Sequence, residues 1–520
     1  MAPPSVVFNI AHEFLERPAE EHPHKPAVIG VERRATYAEL EREMNRVARA
    51  LREYGCRPGD RVLLALPDSI EFIAGFFGAA KIGALPVPVN STARLSDYLH
   101  YVADSGARFA IVHISSWDEF KPALHASAVE FTVAVGSRVR LDGAGTGITI
   151  RWEDWLPRDA ADIPVHPTAP SAPAFLLYTS GSGGAPRAAV HRHGSMAVTA
   201  KAYAQGILGL CPDDVTFSVS KLFFAYGLGN GMYFPLSVGA ATLLFPERPA
   251  SNLIADAVAK YRPTVFFSVP TFYASLLREA ESGRPMDFSS VRLAVSAGEA
   301  LPAEIFVRFR ARFGIEILDG IGSTEMLHIY ISSRPGQARP GSCGVPVSGY
   351  QVKILDESER EVPDGEIGNL WVSGASRFSE YWNDPEISRR RFQGDWYLTG
   401  DKLMRDADGS YHYCGRADDM LKVSGMWVSP ADVESALLGH PAVAECAVVG
   451  HFDSDGLTRP VAFIVLREGL QQPGGGLDSE ISAWLRTRLV GYKCPQEFRF
   501  VRALPKTATG KIQRFLLRAP

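Results

Sequence analysis

No two of the six cysteines (Cys56, Cys211, Cys343, Cys414, Cys446 and Cys494) stand in a CxxC pair. Their scatter argues against a zinc site or a disulfide framework and fits a reducing compartment. A basic surplus is also missing. The net charge is −4, and a solvated helix face accounts for the longest basic run, Arg389 to Arg391. The chain therefore carries no electrostatic footprint for nucleic acid. Long unbroken apolar runs are absent too: Lys81, glycines and prolines interrupt 72–89, so no membrane span is expected. The N-terminal MAPPSVVFN lacks the basic and long apolar regions of a secretory signal, which makes the cytoplasm the expected location. No internal repeat occurs, and the Gln/Gly-rich 470–476 reads as a surface loop.

What remains is the composition of a globular protein, 46% apolar and 22% charged, in a chain of 520 residues. That length exceeds one compact core and predicts two or more domains. Short β-rich runs at 62–66, 109–112, 215–219, 241–245, 265–269 and 293–296 alternate with amphipathic segments. A helix is expected over 70–82 after Pro67-Asp68-Ser69. This alternation predicts helix-covered parallel sheets, whose ligands gather at the C-terminal ends of strands. Beyond about 340, short strands (351–355, 368–372, 397–398) separated by Pro-Asp-Gly and Asn-Asp-Pro turns predict a β-rich subdomain. The last hundred residues read as a small α+β unit, with helices at 430–438 and 477–489 and strands at 446–449, 461–466 and 497–501. The expected class is α/β: a large N-terminal domain with a β-rich subdomain, and a small mobile α+β C-terminal domain.

The most informative stretch is 178–188, YTSGSGGAPRA. An apolar run at 175–178 feeds a loop of glycines and hydroxyls, with a helix expected near His191. Glycines let consecutive backbone N–H groups converge, and Thr179, Ser180 and Ser182 add donors, so the loop suits a polyphosphate. No Gly-Lys-Ser/Thr closes it, which excludes the Walker A loop.

Further motifs follow in fixed order: Ser296-Ala297-Gly298-Glu299, Asp319-Gly320-Ile321-Gly322-Ser323-Thr324-Glu325, Tyr397-Leu398-Thr399-Gly400-Asp401, Gly415-Arg416-Ala417-Asp418-Asp419, and Pro505 to Lys511. Together with the loop they resemble the acyl-CoA synthetase branch of the adenylate-forming enzymes, over almost the whole chain. The segment 221–231, KLFFAYGLGNG, with 322–329, GSTEMLHI, is similar to the benzoate–CoA ligase group. The resemblance implies two steps. ATP and a carboxylate give an acyl adenylate and pyrophosphate, and the thiol of coenzyme A then displaces AMP.

The resemblance assigns Thr179, Ser180, Gly181, Ser182, Gly184 and Arg187 to the phosphates. It gives Gly298, Glu299, Asp319, Gly320 and Ile321 to the adenine side, and Asp401 with Arg416 to the ribose. Thr324 would donate to the α-phosphate, and Glu325 would hold Mg²⁺, the only metal expected. Glu325 also reads as a helix-start glutamate beside a Ser323/Thr324 cap. Lys511 would bridge the carboxylate and the α-phosphate. As an exposed loop lysine it is also a candidate for acetylation that switches off step one. The small domain would rotate about Asp418, dividing the chain into 1–417 and 418–520. Lys511 would serve one face, while Lys422 and Gly425 would serve the CoA face. The acid would lie among Phe224, Ala225, Tyr226, Gly320, His328 and Ile329, which suits benzoate or a small substituted benzoate. Phe223 reads as core packing, and His328 equally as core.

The chain departs from the family loop, with Gly183 in place of threonine, Arg187 in place of lysine and Ala188 in place of glycine. Weaker ATP binding or slower turnover would follow, since Arg and Lys are not equivalent. The residues leave other readings open: loading of a carrier protein, a short or branched-chain acyl-CoA ligase, or a non-catalytic nucleotide-binding relative. A homodimer is an expectation from relatives alone.

Overall fold

A computed structural model describes residues 8–31, 33–125, 127–136, 147–159, 163–179, 185–423, 426–452, 458–467, 476–506 and 512–518. The expected alternation of strand and helix builds two sheets. The first is wholly parallel, in the order Leu85–Pro88, Arg61–Ala65, Phe109–His113, Phe131–Val135, Ile148–Arg151. The second has nine strands. Its six central members, from Pro26–Gly30 to Ile317–Gly322, run parallel, and antiparallel strands close both edges. Between the sheets lies helix Ile70–Lys81, capped by the Ser69 hydroxyl, which accepts from Phe72 N at 3.2 Å. This helix is buried on every side, as its nearly continuous apolar sequence requires. Lys81 ends it inside the core, where its ammonium meets Glu16 at 2.5 Å and Asn45 Oδ1 at 2.6 Å.

The β-rich subdomain is a five-stranded antiparallel sheet of Tyr350–Leu355, Ile367–Gly374, Trp396–Arg405, Phe392–Gln393 and Tyr411–Arg416. The C-terminal unit packs helices Pro430–Leu438 and Leu477–Arg486 on strands Val443–Phe452, Thr458–Leu466 and Glu497–Phe500. It has its own core, including Leu421, Val433, Leu437, Val448, Ile464 and Ile481. The α/β class, with a large N-terminal body and a small α+β C-terminal one, is therefore what the chain adopts. Among the described residues no helix is long and apolar enough to cross a membrane.

Two local expectations are corrected. The helix expected near His191 begins at His193, but a strand separates it from the glycine loop. Strand Pro173–Thr179 turns back into the antiparallel strand Arg187–Arg192, with Thr179 opposite Arg187. The run Arg187–Arg192 is pinned on its other side by residues 379–382, through Ser379 N to Val190 O and Trp382 N to Ala188 O, both 2.8 Å. Likewise, the short strand expected at 397–398 runs on through Asp401 to Arg405, because Tyr411–Arg416 supplies a partner along its second half.

Candidate functional site

Strands Ile317–Gly322 and Ile329–Ser332 are joined by a turn that carries Thr324 and Glu325. The turn is tight enough to force Leu327 into the left-handed region, φ 68°, while its N–H bonds back to Thr324 O at 3.0 Å. A non-glycine residue in that region stores strain, which the surroundings must hold. They do so from three directions. His191 reaches Thr324 O from Nε2 at 2.8 Å, Phe378 N donates to Glu325 O at 2.7 Å, and Ser376 Oγ donates to Met326 O at 2.8 Å. A carbonyl only accepts, so Nε2 of His191 carries the proton. Burial pushes that imidazole down to about 3, keeping it neutral.

The Glu325 side chain is half-buried, and Tyr381 Oη donates to its Oε1 at 2.7 Å. Tyr397 Oη lies 3.3 Å from Tyr381 Oη. Glu325 thus sits in a hairpin turn, not at a helix start. Among the described residues no group of three or more His, Cys, Asp or Glu side chains could cage a metal ion. One carboxylate beside a threonine hydroxyl fits Mg²⁺, which usually takes one or two carboxylates and completes its shell with phosphate and water.

Asp401 stands opposite Arg416 in the sheet register, and Arg416 donates to Asp401 Oδ1 at 3.1 Å and to Thr399 O at 3.0 Å. Gly400 has φ 81°, and a Cβ there would lie 3.1 Å from nitrogens of both Arg391 and Arg416. Arg416, Gly298 and Glu299 line one cleft of about 370 Å³, which Glu434, Ile512 and Arg514 close from the C-terminal side. Gly298 has φ 91°. It follows the strand Leu293–Ser296, whose Ser296 is paired with Asp319. Asp319 is buried, its carboxyl is pushed well up by desolvation, and its Oδ1 has no hydrogen-bond partner among the described residues. Ile321 is buried beside it.

The acyl-side residues also converge. Tyr226 Oη donates weakly to the carbonyls of Ser268 and Val295, at 3.3 and 3.2 Å. Its ring centre is 5.6 Å from that of His328. Phe224 is half-buried, and Ala225 and Ile329 are buried. Gly320 leaves no room for a side chain, since a Cβ would meet Ile329 Cγ2 at 2.8 Å. Burial lowers the His328 imidazole to about 3.

Thr179 ends its strand, and Arg187 opens the next with Nε 3.1 Å from Asp384 Oδ2. The arginine charge is thus already matched by a carboxylate. Ser180, Gly181, Ser182 and Gly184 lie outside the described residues, as do Gly425 and Lys511. Lys422 lies on strand Leu421–Val423. Asp418 is exposed in the turn between strands Tyr411–Arg416 and Leu421–Val423. Lys506 and Ile512, which flank 507–511, are paired with each other, and Ile512 N donates to Glu299 Oε1 at 3.2 Å. The base of the Lys511 loop therefore rests on the cleft.

Sequence reasoning missed the roles of Tyr381 and His191, and it marks Asn230 only as a member of the 221–231 segment. The first two hold the Thr324–Glu325 turn, and Asn230 holds His328. No local pattern marks these contacts, because each acts across a separation of 56 to 133 residues.

The family described as AMP-binding enzyme matches residues 15–382, and the one described as AMP-binding enzyme C-terminal domain matches residues 432–511. A benzoate–CoA ligase of Thauera aromatica is 45% identical over 487 residues, covering 93% of this chain and 90% of the relative. Among solved structures, a benzoate CoA ligase from Burkholderia xenovorans LB400 matches with a TM-score of 0.90 at 42% identity, covering 99% of this chain and all of that one. An anthranilate CoA ligase in complex with anthranoyl-AMP matches with a TM-score of 0.91 at 40% identity, covering 98% and 97% of the two chains.

Proposed function

The chain belongs to the AMP-binding enzyme family, and within it we propose an ATP-dependent, AMP-forming aryl-acid:CoA ligase whose acid is benzoate or a small substituted benzoate. The observation that carries this reading is the near full-length likeness to a benzoate–CoA ligase. The acyl-side residues agree with it: Tyr226 and Phe224 offer flat surfaces, and Ala225 and Gly320 are small.

In the first step a carboxylate oxygen attacks the α-phosphorus of ATP and pyrophosphate leaves. Two anions must approach, so the site has to offset charge. Thr324 presents a hydroxyl donor, and the Glu325 carboxylate, fixed by Tyr381, would hold Mg²⁺. That ion, when bound, neutralises phosphate oxygens. Asp401 accepts from the ribose hydroxyls, with Arg416 bracing it, and Gly298 and Glu299 wall the adenine. Lys511 brings a cation to the reacting oxygens, a contribution commonly worth about 3–4 kcal/mol in the transition state. Its loop base already meets Glu299.

The second step needs a thiol where the lysine stood. We place the pivot at Asp418, between residues 1–417 and 418–520. Its exposure, and the separate core of the C-terminal unit, support a rotation that brings Lys422 and Gly425 to the cleft. Closure in both poses excludes water from a hydrolysable adenylate. A cytoplasmic location accords with six cysteines that are all free.

A panel of carboxylic acids assayed for CoA-dependent AMP release tests the reading. Aryl acids should lead, with benzoate among them. A chain that prefers short or branched acids, or that transfers only to a carrier protein, contradicts it.

A further inference from the structure

Asn230 is fully buried in the wide helical turn Gly229–Tyr233. Its Oδ1 lies 3.0 Å from Nε2 of His328. An amide oxygen only accepts, so with the amide so placed the imidazole donates from Nε2. The rings of Phe234, Tyr203 and Tyr226 surround the same imidazole, with centres at 4.4, 5.2 and 5.6 Å. His328 is packed by rings and tied at one edge. The amide nitrogen of Asn230 has no hydrogen bond of good geometry among the described residues. A buried amide left partly unsatisfied costs stability that an apolar side chain would not. Its chemistry serves orientation: it holds the imidazole that packs against Tyr226, and the functional reading sets both side chains against the ring of the acid.

Gly229 completes the arrangement. A Cβ there would fall 2.6 Å from His328 Cδ2 and 2.9 Å from Nε2, so only glycine lets the imidazole reach Asn230.

We infer that Asn230 is a positioning residue that sets acid specificity by fixing His328, which packs against Tyr226, as one wall of the acyl pocket. This rests on the aryl-acid reading above. Asn230 touches neither ATP nor CoA in that reading, so its loss should separate the substrates kinetically.

The test measures KM and kcat of the full chain for benzoate, 2-aminobenzoate, 4-hydroxybenzoate, ATP and CoA. In Asn230→Leu, KM for the best acid should rise about tenfold or more and the ranking of acids should flatten. KM for ATP and CoA should stay within about twofold. Gly229→Ala, which displaces the imidazole directly, should move the same constants in the same direction. Asn230→Asp keeps an oxygen opposite Nε2 and should retain more of the discrimination than Asn230→Leu. Should Asn230→Leu fail to fold, Gly229→Ala and Asn230→Asp decide. Unchanged acid ranking in the variants, or an equal rise in all KM values, overturns the inference. A wild type that activates no aryl acid overturns the functional reading and this inference with it. An active wild type with unmoved variants overturns this inference alone.

Discussion

The Tyr381 hydroxyl donates to the Glu325 carboxylate at 2.7 Å, joining segment 379–382, which lies along strand Arg187–Arg192, to the turn that carries Thr324 and Glu325. Without that bond Glu325 would be a flexible carboxylate on a strained turn. Tyr381→Phe should therefore lower benzoate-dependent ATP–pyrophosphate exchange about tenfold, the worth of one hydrogen bond to a charged group. Glu325→Gln should lower it further. Exchange that is unaltered in Tyr381→Phe would show that Glu325 is held by other means.

Arg187 and Asp384 form a half-exposed pair, with 41% and 32% of their side-chain surfaces accessible. Such a pair contributes about 0–1 kcal/mol. Asp384 does more, since its Oδ1 accepts from Ile387 N at 3.2 Å and caps the helix Pro385–Arg391. Asp384→Ala should cost about 1 kcal/mol or more through the lost cap. Arg187→Met should cost less. Thermal unfolding of the two variants orders them, and the reverse order would refute the capping role.

Lys81 and Glu16 meet at 2.5 Å inside the core, with the lysine side chain wholly inaccessible. Removing Lys81 takes its cation from the buried Glu16 carboxylate, which keeps the His12 imidazole at 3.0 Å. Lys81→Ala should destabilise the protein by about 3–5 kcal/mol, while Lys81→Met combined with Glu16→Leu should recover much of that loss. Urea midpoints decide, and a single variant no worse than the double one would contradict the pairing.

Much of this was legible in the chain, for reasons that can be named. Strand Leu293–Ser296 and helix Pro430–Leu438 fall where periodicity and start signals put them. The stretch after the glycine loop carries no such signal. Arg187–Arg192 is a strand because Pro173–Thr179 pairs with it antiparallel and residues 379–382 bond to its other side, and nothing in 187–192 announces either partner. The strand Trp396–Arg405 was cut short for the same reason. Asp401 and Arg416 were found as motif members, whereas their register as direct neighbours emerged only from the sheet. Tyr381 and His191 carry no signal in the chain because a lone aromatic or histidine shows its role only when folding brings its partner, and Asn230 shows only as a member of the 221–231 segment.

Burial lowers the imidazoles of His191 and His328 to about 3. In the unfolded chain both titrate near an ordinary ~6.5. The unfolded state therefore takes up protons first as pH falls. The stability these groups permit is whole above about 6.5 and is lost progressively below it. Each contributes about 1.4 kcal/mol per pH unit within that window. The urea midpoint should drop between pH 7 and pH 5, and an equal midpoint at both would contradict the buried neutral assignment.

The central claim is that two bodies pivoting at Asp418 share one cleft, first for adenylation and then for thioester formation. Rapid-quench measurement of both half-reactions in the wild type and in Lys511→Ala tests it most directly. The account predicts that the variant loses benzoyl-AMP formation from ATP and benzoate but still converts supplied benzoyl-AMP and coenzyme A to benzoyl-CoA and AMP. Equal loss of both half-reactions, or of neither, would contradict it.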